Sequence, residues 1–141
     1  MASMNCFVNG QSQQGPEING TNGDDSISCD VLAPGDAILE GGGKDTINVT
    51  ENDFGIVSGG GGGDNIFVVT HTGGLIQGGA GNDHIDVRDN AAASEGTQSR
   101  VRDGDGDDTI TVMQNHGLVE GDDGFDTCSV TMGNPALCEA S

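Results

Sequence analysis

The sequence predicts an all-β fold, a parallel β-solenoid of about six turns built from two sheets. Three observations predict it. The stretch GGAGNDHIDV at residues 78–87 recurs along the chain at a near-constant spacing. Glycines and aspartates cluster beside short β-branched aliphatics instead of spreading out, and the 141 residues include 26 Gly but no Trp or Tyr. A chain with a formal charge of −19 and so few large apolar side chains would ordinarily stay unfolded, because it buries too little surface to offset chain entropy. Regular placement of the aliphatics answers that objection, since stacked repeats bury a continuous core that no single repeat could bury alone.

In chain order, residues 1–18 precede the first repeat and are expected to cap the N-terminal end, with Met1–Met4 an expression-derived leader. Residues 19–130 hold the repeats: GTNGDDSISC (20–29), EGGGKDTINV (40–49), GGGGGDNIFV (59–68), GGAGNDHIDV (78–87), DGDGDDTITV (103–112) and GDDGFDTCSV (121–130). Their aspartates are Asp25, Asp45, Asp64, Asp83, Asp108 and Asp126, at intervals of 20, 19, 19, 25 and 18 residues. Two and four residues after each aspartate stand Ile27 and Cys29, Ile47 and Val49, Ile66 and Val68, Ile85 and Val87, Ile110 and Val112, Cys128 and Val130. A two-residue period puts each pair on one face of a strand.

A second apolar stretch follows in each turn: AILE (37–40), GIVS (55–58), GLIQ (74–77), SRVR (99–102) and GLVE (117–120). Leu39, Val57, Ile76, Val101 and Val119 are its expected inward row. One position earlier lie Ile38, Ile56, Leu75 and Leu118, with Arg100 as the exception. Pointing outward, they would form an aliphatic stripe suited to a second copy of the chain, a surface ligand or ice. A register shifted by one residue would instead make this the core row. The 25-residue interval implies a loop insertion at residues 88–100, which with its exit holds Arg88, Arg100 and Arg102. Residues 131–141 are expected to cap the C-terminal end.

Solenoid ends need covering because they expose core and unpaired strand edges. Cys29 and Cys128 lie in the first and last turns, roughly 25 Å apart on the strand spacing, too far to bond. Cys6 precedes the first turn and Cys138 follows the last, so Cys6–Cys29 and Cys128–Cys138 would staple both ends and fit an oxidising, extracellular compartment. The other reading makes Cys29 and Cys128 small buried hydrophobes.

The charge balance makes nucleic acid and anionic membranes poor partners and cations good ones. No apolar run approaches the length of a membrane span or a signal peptide, so membrane insertion is not expected. Stacked turns lie roughly 4.8 Å apart, so the six aspartates would form a column in which each neighbouring pair repels by roughly 3 kcal/mol at an effective dielectric near 20. Cations would relieve that repulsion. Glycine turns can aim carbonyl oxygens inward, and the glycines two residues before each aspartate, Gly23, Gly43, Gly62, Gly81, Gly106 and Gly124, are the expected donors. Asn82 and Asp107 stand one residue before the aspartate as further candidates; Asp24, Asp107 and Asp123 are either extra ligands or loop charge. An all-oxygen set of flexible geometry suits calcium better than magnesium. His71, His84 and His116 occupy different repeat positions with no metal or acid–base spacing, and are expected to be solvated loop residues.

The pattern G-G-x-G-x-D followed by an aliphatic resembles the nonapeptide of the RTX (repeats-in-toxin) calcium-binding β-roll family. GGAGNDHID (78–86) and GGGGDNIF (60–67) carry most of it, and the similarity spans residues 20–130. The resemblance implies a right-handed coil with an ion between the glycine–aspartate loops of successive turns, hence up to five calcium ions. This chain departs from the family on its opposite side, where VTENDFG, VTHTGG and VMQNHG offer no matching loop, so calcium is expected along one edge only. Glu40, Asp103 and Asp122 also replace expected glycines, which implies weaker or differently coordinated sites there. The single-edge, nineteen-residue form is similar to the ice-binding region of a bacterial RTX adhesin, but its Thr–Asn ladder has no counterpart here.

The expected function is that of a calcium-binding extracellular module, not an enzyme, whose folding is coupled to the ion and whose role is structural or adhesive. The alternatives are an ice-binding protein using the flat second sheet, or a non-catalytic module of a polysaccharide-acting enzyme.

Overall fold

A computed structural model describes residues 6–13, 17–91, 99–122, 124–133, 136 and 138. The described residues form twelve strands and no helix: β1 (Cys6–Val8), β2 (Gln11–Gln13), β3 (Glu17–Asn19), β4 (Ser26–Leu32), β5 (Ala37–Leu39), β6 (Thr46–Gly61), β7 (Asn65–Ala80), β8 (His84–Asn90), β9 (Arg100–Asp105), β10 (Thr109–Asn115), β11 (Leu118–Glu120) and β12 (Thr127–Gly133). No helix is therefore long and apolar enough to cross a membrane.

Two parallel ladders make the solenoid. The first stacks β4, the start of β6, the start of β7, β8, β10 and β12, with Ile27, Ile47, Ile66, Ile85, Ile110 and Cys128 in register. The second stacks β3, β5, residues 56–58 of β6, residues 75–77 of β7, β9 and β11. Strands β6 and β7 belong to both ladders. They turn the corner while staying paired, through irregular register around Asn52 and Asp53 and positive φ at Phe54 and Gly74. This is the flattened, two-sheet solenoid of about six turns that the repeat predicts.

The core lies between the ladders. From the first sheet come Ile27, Ile47, Ile66, Ile85 and Ile110 with Cys29, Val49, Val68, Val87 and Val112; from the second come Ile18, Ile38, Val57, Ile76, Val101 and Val119. Two expectations of the second sheet are corrected here. Ile38 is fully buried, whereas Leu39 is 38% exposed, so Ile38 leaves the outward stripe and Leu39 leaves the inward row. The cause is one extra residue in the first far turn. Leu32 pairs with Asn52 and Ile38 with Val57, so Ile38 stands six positions after Leu32 whereas Val57 stands five after Asn52. Ile56, Leu75 and Leu118 do lie on the outward row, in line with Ala37 and Arg100.

A third inward row, absent from the expectations, fills the turn opposite the aspartates. Asn52, His71, Asn90 and Asn115 stack there fully buried, so His71 is not the solvated loop residue it was expected to be. Buried polar groups need partners. Asn52 closes its own turn by accepting from the Gly55 N–H (2.9 Å) and donating to the Gly55 carbonyl (3.2 Å). His71 Nε2 lies 3.0 Å from the Arg100 carbonyl, which can only accept, so Nε2 carries the proton and Nδ1 accepts from the Asn52 amide at 3.2 Å. Burial lowers the His71 pKa to about 4. His84 and His116 are exposed, as expected.

The insertion also narrows. His71 to Leu75 spans four residues and the paired stretch Asn90 to Arg100 spans ten, so the six extra residues fall after Asn90 and Arg88 sits in β8 rather than in a loop. Residues 92–98 of the expected loop lie outside the described residues.

Both staples form: Cys6–Cys29 with Cα atoms 4.2 Å apart, and Cys128–Cys138 with 6.0 Å. The N-terminal cap is a β1–β2 hairpin turned by Asn9 and Gly10, both at positive φ, laid antiparallel on β4 so that Cys6 and Val8 close the core. The C-terminal end is less covered. Cys128 and Val130 of β12 are only partly buried and, with Ala136 and Cys138, pack against the end of the core.

Two measurements check this arrangement. Ile38→Ala is expected to cost about 2–4 kcal/mol in denaturant unfolding and Leu39→Ala less than about 1; equal losses would contradict the register. Titration of His71 by NMR is expected to show the neutral Nε2–H tautomer down to about pH 4. Its folded pKa lies below the unfolded value, so the stability it contributes is present above pH 6.5 and lost as pH falls through about 4.

Candidate metal centre

Each repeat aspartate ends its glycine loop at the residue before a strand begins, and parallel stacking places the next coil's aspartate directly beside it. The backbone N–H of Asp25 donates to Asp45 Oδ1 (2.7 Å), Asp45 to Asp64 (2.9 Å), Asp64 to Asp83 (2.9 Å), Asp83 to Asp108 (2.6 Å) and Asp108 to Asp126 (3.1 Å). One oxygen of each carboxylate is thereby spent along the solenoid axis. The other is not. Oδ2 of Asp45, Asp64, Asp83, Asp108 and Asp126 is buried with no hydrogen-bond partner. A buried carboxylate oxygen without a partner is costly, and a row of five of them marks where positive charge belongs.

The space these oxygens face is defined by the residue five positions before each aspartate. At Gly59 a Cβ would lie 2.5 Å from Asp64 Oδ2 and 2.8 Å from the Gly78 carbonyl oxygen; at Gly78 it would lie 2.5 Å from Asp83 Oδ2 and 2.6 Å from the Asp103 carbonyl oxygen. Glycine there keeps open a cradle of carboxylate and carbonyl oxygens that any side chain would fill. Such a cradle fits a hard cation and offers nothing to a soft one. Two coils replace that glycine by an acid. Asp25, Glu40 and Asp45 bring three carboxylate oxygens within 4.8 Å of one another, and so do Asp103, Asp108 and Asp126. A third close group, Asp103 with Cys128 and Cys138, offers no thiolate because its cysteines are joined.

The electrostatics follow from burial. Glu40 is pushed up to about 8, chiefly by burial and then by the charges of Asp45, Asp25 and Asp64. Burial likewise raises Asp83 to about 7, Asp64 and Asp103 to about 6, and Asp45 and Asp108 above the usual carboxylate range. Asp25 goes the other way. Its carboxylate accepts from Asn9 of the hairpin cap (2.9 Å) and from the backbone and hydroxyl of Thr21, which hold its pKa down.

A Cβ on Gly62, Gly81, Gly106 or Gly124 would fall on the carbonyl oxygen of the equivalent glycine one coil earlier, and on Gly43 it would press the Gly23 carbonyl. These glycines thus let the loops stack at strand spacing, and all but Gly23 are at positive φ. The carbonyls beside the cradles at Gly59 and Gly78 are those of Gly78 and Asp103. Asn82 and Asp107 are exposed and accept from the backbone N–H groups of Asp107 (3.0 Å) and Phe125 (3.1 Å), and Asp24 does the same for Lys44 (2.8 Å), forming an outer ladder. Asp123 lies outside the described residues. Glu40 and Asp103, read from the sequence only as lost glycines, are the acids brought into the centre.

Arg100 and Arg102 face outward on the second sheet, paired with Glu120 (3.5 Å) and Asp122 (3.1 Å), while Arg88 lies over the Phe67 ring of the first sheet at 5.9 Å. Three arginines near one insertion are therefore divided between two faces. Comparison with known proteins finds no matching family model, curated protein or solved structure.

Because Glu40 (about 8) and Asp83 (about 7) hold protons near pH 7 in the folded, metal-free state, a cation that displaces them is expected to release protons on binding. Calorimetry in two buffers of different ionisation enthalpy measures the number; a buffer-independent heat would contradict the placement of these carboxylates. In the metal-free chain their raised pKa values contribute stability that is present below the unfolded value of about 3.8 to 4.5 and lost as pH rises through 6 to 8.

Proposed function

We propose that the chain is a calcium-binding β-solenoid module of an extracellular protein, its folding completed by the ion and its role structural or adhesive rather than catalytic. The observation that carries the proposal is the row of five buried, unpartnered aspartate oxygens, of which those of Asp64 and Asp83 face carbonyl-lined cradles and those of Asp45 and Asp108 face a further acid. Calcium accepts six to eight oxygens in flexible geometry, whereas magnesium demands a tight octahedron and keeps its waters, which a narrow internal column cannot hold in number. The likeness of the glycine–aspartate repeat to the RTX calcium-binding family supports the same ion. The two disulfides fit an oxidising compartment, and outside cells millimolar calcium fills sites of modest affinity.

In this reading the outward rows are free for a partner. Ile56 (44% exposed) and the partly buried Leu75 are neighbours on the second sheet, and Leu118 lies beyond Arg100. Any aliphatic contact with a second copy or a surface is therefore centred on the third and fourth strands of that ladder.

Far-ultraviolet circular dichroism of the chelated chain tests the proposal. Calcium is expected to produce a coil-to-β transition that the same concentration of magnesium does not. A spectrum already β-rich after chelation and unchanged by calcium would contradict it.

A further inference from the structure

We infer that the acidic column is not a row of equivalent sites but contains two discrete three-carboxylate calcium sites, Asp25–Glu40–Asp45 and Asp103–Asp108–Asp126, with Glu40 and Asp103 as the ligands that set them apart. This rests on the cation-binding reading above and adds which positions fill first.

The position five residues before the repeat aspartate is glycine in four coils, Gly20, Gly59, Gly78 and Gly121, and an acid in two. At Gly59 and Gly78 the cradle is lined by one aspartate oxygen and a backbone carbonyl, from Asp64 with Gly78 and from Asp83 with Asp103. At the acids a further carboxylate enters the same space. Glu40 is 2% exposed and Asp103 is fully buried, and neither oxygen of Glu40 nor Oδ2 of Asp103 has a hydrogen-bond partner. Long acidic side chains are almost never buried unless paired or bound to metal, and no basic group in the described residues pairs with either.

Geometry indicates what they are waiting for. In each group the three ligand atoms lie within 4.8 Å of one another, so one ion at about 2.3–2.6 Å from each can touch all three. In the C-terminal group the preparation is complete. Oδ1 of Asp103 takes the Asp122 N–H (2.9 Å), Oδ1 of Asp108 takes the Asp83 N–H, and Oδ1 of Asp126 takes the Asp108 N–H, which leaves the Oδ2 atoms of all three unpartnered. In the N-terminal group Glu40 lies toward Gly20, where a Cβ would meet its Oε2, and it faces the carboxylates of Asp25 and Asp45.

Ligand charge count is a main determinant of calcium affinity, so these two sites should fill before the cradles at Asp64 and Asp83. Each adjoins a disulfide-stapled end: Asp25 and Asp126 immediately precede β4 and β12, which carry Cys29 and Cys128. Ion and staple would together close both termini of the coil first.

Calorimetric titration of calcium into the chelated full chain tests the inference. The expected isotherm has two ions bound about tenfold or more tighter than the rest. Glu40→Gly and Asp103→Gly restore the residue of the other coils, and each should remove one tight ion while calcium still yields the β spectrum. Glu40→Gln keeps the side-chain shape and should give the same loss, which covers a Glu40→Gly chain that does not fold. Gly78→Ala fills the cradle at Asp83 and should reduce only the weaker class. A single class of equivalent sites, or variants at Glu40 and Asp103 that keep both tight ions, would overturn the inference while leaving calcium binding itself intact. No calcium uptake by the unaltered chain would overturn the cation-binding reading as well.

Discussion

Like charges stacked at strand spacing are the constraint on which the rest of this structure depends. A solenoid repeats its chemistry every turn, so one aspartate per turn becomes a column of aspartates, and the repulsion between neighbours grows as the interior dries. The chain meets half of this locally. Each Oδ1 accepts the backbone N–H of the preceding aspartate, so the groups that repel are also clamped in contact. The Oδ2 atoms have no such relief, and burial raises the pKa values of Asp45, Asp64, Asp83 and Asp108 instead. A cation placed at these oxygens would have to compete with protons for them.

Much else follows from keeping that column aligned. Positive-φ glycines at 43, 62, 81, 106 and 124 let successive loops approach until backbone meets backbone, which no side chain would permit. On the far side the same stacking rule builds a neutral ladder from Asn52, His71, Asn90 and Asn115, where amides and an imidazole take the place of carboxylates and ions. One edge of the coil is thus lined by buried acids, while the other is lined by neutral polar side chains. The hairpin cap joins the two schemes at the N-terminus, because Asn9 presents to Asp25 the contact that another coil would otherwise make.

The fold was legible because period and alternation are one-dimensional signals. A spacing near nineteen residues, with apolar residues two and four after each aspartate, leaves few architectures other than stacked parallel strands. Register in the second sheet was less legible. The extra residue of the first turn is a far-turn residue around Pro34 and Gly35, and the letters of AILE and GIVS align equally well one residue out of step. His71 was missed because a polar residue opposite the glycine loop looks like loop in a string, and only stacking on Asn52 shows it to be core. The aspartates themselves were plain, but Glu40 and Asp103 read as flaws in a glycine pattern. Their meaning is spatial: five residues before an aspartate is close in the folded loop, and close to the neighbouring coil's aspartate too.

The central claim is that cations occupy the interior of the acidic column, between Oδ2 atoms, and not its outer surface. A crystal structure of the chain grown in calcium, with anomalous data collected at long wavelength, tests it most directly. The account predicts anomalous peaks about 2.3–2.6 Å from the Oδ2 atoms of the repeat aspartates, including Asp45 and Asp108. Peaks confined to the outer ladder of Asp24, Asn82 and Asp107, or a folded column with no interior peak at neutral pH, would contradict it.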